Sequence, residues 1–151
     1  MIISRIYNVH NGVDTAYVYI WISKKFKLVY IGMTNNSVGP IGRAEGHFNS
    51  RGTFRKRFLE ETGLGIEKAF DMILLSFPLP KKREYTGVES SYRESVEYLV
   101  MKELQLQRGI LVPNYDVVSW HDRYPRRTGN LEVIRTATSI VKSFVSGYNS
   151  L

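Results

Sequence analysis

Residues 16–48 read AYVYIWISKKFKLVYIGMTNNSVGPIGRAEGHF. From Thr15, the β-branched and aromatic run TAYVYIWIS predicts a strand covered on both faces. Lys24-Lys25-Phe26-Lys27 is long enough only for a connector, and LVYIGM follows as a second strand, so the pair predicts a hairpin. Gly32, late in that second strand, permits a bulge or the close approach of another backbone. Asn35-Asn36-Ser37 carries turn and cap chemistry, and Gly39-Pro40 opens a helix with proline in its first turn. Ile41, Ala44 and Phe48 recur at helical spacing. Arg43 and His47, four residues apart, share a face. Gly42 and Gly46 weaken this helix, which is expected to be short.

Upstream, MIISRIYN (residues 1–8) predicts a short edge strand or loose chain, and His10-Asn11-Gly12 a turn. Downstream, Ser50-Arg51-Gly52-Thr53 punctuates. Thr53 is expected to cap FRKRFLEE, a helix with Phe54, Phe58 and Leu59 on one side. Thr62-Gly63-Leu64-Gly65 ends it. AFDMILLSF is a third strand, whose apolar density predicts a central position. A basic loop covers residues 78–84. Ser90 to Leu106 is the strongest helical pattern, with Val96, Leu99, Val100, Glu103 and Leu104 on one side and Glu97, Met101 on an adjoining one. ILVPNYDVVSW reads as extended chain and HDRYPRRTGN as a polar loop. A last helix, Leu131 to Val145, offers Val133, Ile134, Ala137, Ile140, Val141 and Phe144 as its apolar side. The expected fold is therefore α+β: a small three-stranded, mainly antiparallel sheet flanked by helices, with a C-terminal helical extension over residues 118–151.

With 151 residues, a single domain is the natural expectation, long enough to bury a core without a staple. The chain has no cysteine, which excludes disulfides and Cys-ligated zinc. Its first residues lack the apolar run of a signal peptide, and no stretch approaches the roughly 18 apolar residues of a membrane helix. A cytoplasmic protein with no membrane partner is the expectation. The formal charge of +7 favours a phosphate-backbone or anionic-surface partner. The basic clusters are Arg51, Arg55, Lys56 and Arg57, then Lys81-Lys82-Arg83, then Arg123, Arg126 and Arg127. Each reads plainly as a solvated face, or more sharply as a track for DNA phosphates, the first being the strongest candidate. Tyr115, Trp120 and His121 can stack on bases or pack the C-terminal extension, and packing is the favoured reading.

Six residues fall in a telling order: Tyr19 in Tyr17-Val18-Tyr19, Tyr30 in Tyr30-Ile31-Gly32, Arg43, His47, Glu97 on the long helix, and Asn114 in PNYDV. In this order they resemble the GIY-YIG nuclease superfamily over about residues 15–117. The tyrosines stand eleven residues apart, as a tight hairpin allows. Arg43 and His47 match the family's arginine and the Tyr-or-His one turn later; Glu97 matches its metal-binding Glu and Asn114 its later Asn. The chain departs from the pattern at two places. Tyr17 replaces the glycine of the first triplet, and Met33 stands where many members carry a lysine after YIG. Lys24, Lys25, Lys27 and His47 are candidates for the missing cation. The long gap from Glu97 to Asn114 keeps Glu94 and Glu103 as rival ligands.

The chemistry of phosphodiester hydrolysis needs an activated water, charge on the phosphoryl oxygens and a stabilised leaving oxygen. The resemblance then implies Tyr19 as general base, Tyr30 and His47 as its hydrogen-bond partners, and Arg43 as a bidentate phosphate clamp. Glu97 is the expected ligand of one Mg2+ or Mn2+, and Asn114 orients the site. Taken singly, each residue has a plainer reading: strand aromatics, a solvated arginine, a core histidine, a boundary glutamate, a turn asparagine. Their ordered coincidence favours an endonuclease acting on double-stranded DNA, as monomer or homodimer, over a catalytically inactive binding module on the same fold.

Overall fold

The computed structural model describes residues 14–107 and 115–148. The edge strand and turn expected within residues 1–13, and Asn114, lie outside the described residues.

Strands β1 (Tyr17–Ser23) and β2 (Leu28–Thr34) form the expected antiparallel hairpin, with Tyr19 opposite Gly32 and Trp21 opposite Tyr30. All seven residues of β1 are buried, as its unbroken apolar and aromatic sequence requires. Alternation sends Val18, Ile20 and Ile22 to one face and Tyr17, Tyr19 and Trp21 to the other. Strand β3 (Met72–Pro78) pairs antiparallel with the other side of β1. A two-residue strand, β4 (Asp116–Val117), pairs parallel with Leu28 and Val29. The sheet is thus four-stranded and mixed, in the order β3-β1-β2-β4, where the sequence predicts three strands. The extra strand is too short to leave a period in the sequence.

The central strands are β1 and β2, and β3 is an outer one, contrary to its expected central place. Its apolar density has another cause. Ile73, Leu75 and Phe77 pack into one core and Met72 and Leu74 into a second, because helices cover both faces of the sheet.

The first core joins Val18, Ile20, Ile22, Val29 and Ile31 to helices α4 (Ser91–Leu106) and α5 (Leu131–Tyr148). Val96, Val100, Met101 and Leu104 come from α4; Val133, Ala137, Ile140, Val141 and Phe144 come from α5. The C-terminal helix is therefore part of the central packing. It runs three residues past its expected end and buries Tyr148, while Ile134 turns outward at 38% exposure. Asn130 caps it, its Oδ1 accepting from the Glu132 and Val133 amides at 2.9 and 3.2 Å. The basic loop after β3 contains one short helix, α3 (Arg83–Thr86), where no element is expected. The buried Arg93 of α4 ties it down by donating to the carbonyls of Tyr85 and Gly87. Ion pairs from Lys81 to Asp14 (2.9 Å) and Lys82 to Glu132 (2.8 Å) hold the same region.

On the opposite face, α1 (Gly39–Phe48) and α2 (Thr53–Thr62) cover Tyr19, Trp21, Leu28 and Tyr30 with Phe54 and Phe58. Pro40 lies in the first turn of α1 as its sequence predicts. Thr53 is the first residue of α2 and makes no side-chain cap; Gly52 holds the cap position. A Cβ on Gly52 would stand 2.0 Å from the His47 carbonyl oxygen, so the tight α1–α2 corner needs a residue without one. Leu59 is 52% exposed, because only the Phe54–Phe58 row of α2 faces the sheet.

Beyond β4 the chain continues along β2. The buried Ser119 hydroxyl takes a hydrogen bond from the Ile31 amide and donates to the Ile31 carbonyl at 2.8 Å. Ser119→Ala strands two buried backbone groups. It is expected to lower stability by about 1–3 kcal/mol in urea-unfolding measurements.

Candidate active site

Register sets the first part of the site. Tyr19 and Gly32 are opposite each other on the face under α1. The Tyr19 ring lies across Gly32, where a Cβ would stand 2.3 Å from the phenolic oxygen. The glycine of the YIG triplet therefore makes room for the tyrosine of the neighbouring strand. From α1, His47 descends onto this pair, only 2% exposed, and its Nε2 is hydrogen-bonded to the Tyr19 hydroxyl.

The protonation states follow from burial. Desolvation, aided by the Arg43 charge, lowers His47 to about 4, so the imidazole is neutral at pH 7. Desolvation first, and then neighbouring Tyr30, push Tyr19 well above the ordinary tyrosine value, while Arg43 pulls it back. Both groups are neutral; with the imidazole proton on Nδ1, the phenol O–H donates to Nε2. Tyr30 meets the imidazole edge-on, with ring centroids 5.1 Å apart, and stacks on Phe54 at 4.8 Å. This is a ring contact in place of the hydrogen bond expected from sequence. Burial pushes Tyr30 up to about 12, with Glu97 adding to the rise and Arg43 and Arg57 opposing it.

The second part of the site comes from the far side of the sheet. The charge of Glu97 acts on both Tyr19 and Tyr30, and Arg43 acts on Glu97, so the α4 carboxylate lies within electrostatic reach of the tyrosines and the arginine. Glu97 is 15% exposed at its side chain, and desolvation raises it above the ordinary carboxylate range. The two rival acids differ. Glu94 accepts a hydrogen bond from Ser90 and lies along a cleft of about 600 Å³ with His121, Arg123 and Arg126. Glu103 lies nearly two helical turns further on, beside Leu99, Thr128 and Ile134, away from both tyrosines.

Glu97 also has a partner that sequence reasoning missed. His121 Nε2 stands 3.4 Å from Glu97 Oε2, and that contact raises the imidazole's affinity for a proton. The only signal for it in the sequence is that a polar loop must follow β4. Tyr115 packs as expected, 1% exposed against Phe144 and Tyr148. Trp120 does not: it is 67% exposed, with the Arg57 guanidinium 5.3 Å from its ring centroid.

The cations divide in the same way. Lys24 and Lys25 lie in the β1–β2 turn, over the rings of Tyr148 and Phe26. That turn is four residue pairs from Tyr19, about 13 Å along the strand. His47 is neutral, and Met33 points into the α4 core. The cations that act on Tyr30 are Arg43 first and then Arg57. Among the other members of its cluster, Arg55 pairs with Glu67, Lys56 lies 3.9 Å from Glu60, and Arg51 is exposed. Arg57 itself pairs with Glu60 at 2.9 Å.

Among the described residues no group of three or more His, Cys, Asp or Glu side chains can hold a metal ion. A single carboxylate still suits Mg2+, which keeps several waters and binds through one or two carboxylates and substrate phosphate. The desolvated charge of Glu97 is the kind of donor that a cation relieves. Comparison of the chain with protein-family models, with curated proteins and with solved structures returns no match in any of the three.

Two measurements test this arrangement. Gly32→Ala drives a methyl group into the Tyr19 ring and is expected to cost about 1–3 kcal/mol of stability. Because His47 is depressed when folded, the unfolded chain binds the extra proton first as pH falls. Its contribution is present above pH 6.5 and is lost towards pH 4, at most about 3 kcal/mol. His47→Gln, which keeps an acceptor for Tyr19, is expected to flatten thermal stability between pH 6.5 and 4 relative to the parent.

Proposed function

We propose that this chain is a metal-dependent endonuclease of the GIY-YIG type that hydrolyses DNA phosphodiester bonds. The observation that carries this reading is the convergence of Tyr19, His47 and Tyr30 with Arg43 and, from another layer of the fold, Glu97.

In this reading Arg43, exposed at the edge of the tyrosine pair, takes two phosphate oxygens by parallel hydrogen bonds. The attacking water gives its proton to the Tyr19 oxygen as the phenol proton passes to His47 Nε2. This relay avoids forming a free tyrosinate, which burial makes costly. It also explains why a neutral histidine is useful there, since a protonated one has no lone pair to offer. A negative phosphate arriving beside His47 favours its protonated form and so draws the relay forward. Water oxygen joins phosphorus, the phosphorus–oxygen bond to the leaving nucleotide breaks, and the leaving oxygen takes a proton from solvent. One Mg2+ or Mn2+ held by Glu97, with His121 alongside, would supply charge to the phosphate and the leaving oxygen. A duplex break needs two such nicks, made in turn by a monomer or together by a homodimer.

The second reading is a DNA-binding module without catalysis on the same fold. Met33 and Tyr17, which replace a cation and a glycine of the family pattern, favour it. Supercoiled plasmid with Mg2+ or Mn2+ separates the two. The endonuclease is expected to give nicked and then linear DNA, with Glu97→Ala and Arg43→Ala each slower by about 10²-fold or more. Salt-sensitive binding with no cleavage under either ion would favour the binding module. Glu97→Gln is expected to stay within about 1 kcal/mol of parental stability in urea while losing cleavage, since the substitution removes a charge that burial disfavours.

A further inference from the structure

Trp120 and Tyr124 are the exposed large aromatics of the segment after β4, and Trp120 is the one with a guanidinium against its ring. It follows Ser119, whose hydroxyl accepts from the Ile31 amide and donates to the Ile31 carbonyl, which sets where the chain runs at Trp120. One side of its indole is covered by the Arg57 guanidinium at 5.3 Å. With 67% of the residue exposed, the other ring face is left to solvent. Arg57 is held in turn by Glu60 at 2.9 Å, on a helix whose Phe54 and Phe58 are anchored in the core. The next residue, His121, stands 3.4 Å from the Glu97 carboxylate, so this stretch of chain borders the proposed site. An exposed tryptophan held flat by a cation serves no packing purpose. A π-face beside a phosphate site is what single-stranded nucleic-acid binders present to bases.

Resting on the nuclease reading, we propose that Trp120, backed by Arg57, is a stacking platform for a nucleobase neighbouring the scissile phosphate. The bases of an intact duplex are already stacked on one another. The substrate class this implies is DNA with an unpaired or extruded base next to the cut: a single strand, a junction, or a nucleotide drawn out of the helix. Arg57 strengthens the indole–base contact from behind and adds positive charge along the backbone path.

The two tryptophans make a direct test possible, because Trp21 is buried and Trp120 is not. Intrinsic fluorescence is followed in EDTA, so that nothing is cut, during titration with single-stranded oligothymidylate. An abasic oligomer of the same length and charge is titrated in parallel. Stacking predicts quenching by oligothymidylate and little by the abasic chain. In anisotropy titrations with dye-labelled oligomers, Trp120→Leu should weaken oligothymidylate binding by about tenfold while leaving the abasic affinity unchanged, and Trp120→Phe should keep most of the binding. Because Trp120 is outside the core, all three proteins should melt together. Equal quenching by both oligomers, or unaltered oligothymidylate affinity in Trp120→Leu, would overturn the platform while salt-sensitive binding left the nuclease reading standing. No binding of either oligomer by the parent protein would overturn the platform, and plasmid nicking by the same protein would leave the nuclease reading standing.

Discussion

Everything in this site is referred to one buried contact, the hydrogen bond from the Tyr19 hydroxyl to His47 Nε2. It crosses from the central pair of strands to the helix above them. It forms only because the opposing strand carries no side chain at Gly32, so the phenol can lie flat over the backbone. Burial then fixes the charge state of both partners: neither ionises readily, and the proton between them has one acceptor. A hydrogen bond in such surroundings is stronger than in water, and it is costly to leave unmade. The pair therefore organises α1 over the sheet as well as offering a route for a proton.

Around this neutral centre the charges are arranged by sign and by layer. Arg43 comes from α1 and Arg57 from α2, both on the tyrosine side of the sheet. Glu97 comes from α4, which packs on the other face, and its charge acts on the same two tyrosines. An acid that burial penalises, set close to two tyrosines that burial also keeps protonated, is a poor stability choice and a reasonable binding choice. Sites that depress or raise several titratable groups at once are where function is commonly found.

Much of this is legible in the sequence, for reasons that differ by element. The hairpin could be read because an unbroken β-branched and aromatic run has few alternatives, and α4 because its apolar spacing is sustained. The ordering of Tyr19, Tyr30, Arg43, His47 and Glu97 could be read because each sits on an element with a clear period. The central position expected of β3 failed because an apolar strand covered on both faces looks the same at the edge as in the middle. Two parallel residue pairs are too few to announce β4. Packing was the favoured reading for Trp120 and His121, and it failed for the exposed Trp120 because what decides it is where the chain goes after Ser119 engages Ile31. Arg57 reads as one of three basic residues in a row, and only the turn of α2 selects it.

The short parallel strand divides the site into parts of unequal permanence. Tyr19, Tyr30 and His47 rest on long ladders and aromatic packing, so displacing them means undoing most of the domain. The segment carrying Trp120 and His121 is held along β2 by the pairing of Asp116 and Val117 and by one serine hydroxyl. Local opening free energies scale with the contacts broken, so this edge is the cheaper to detach. A protein built this way keeps its proton-transfer geometry rigid while the wall beside it breathes, and amide exchange at 116–121 is the faster clock of the two.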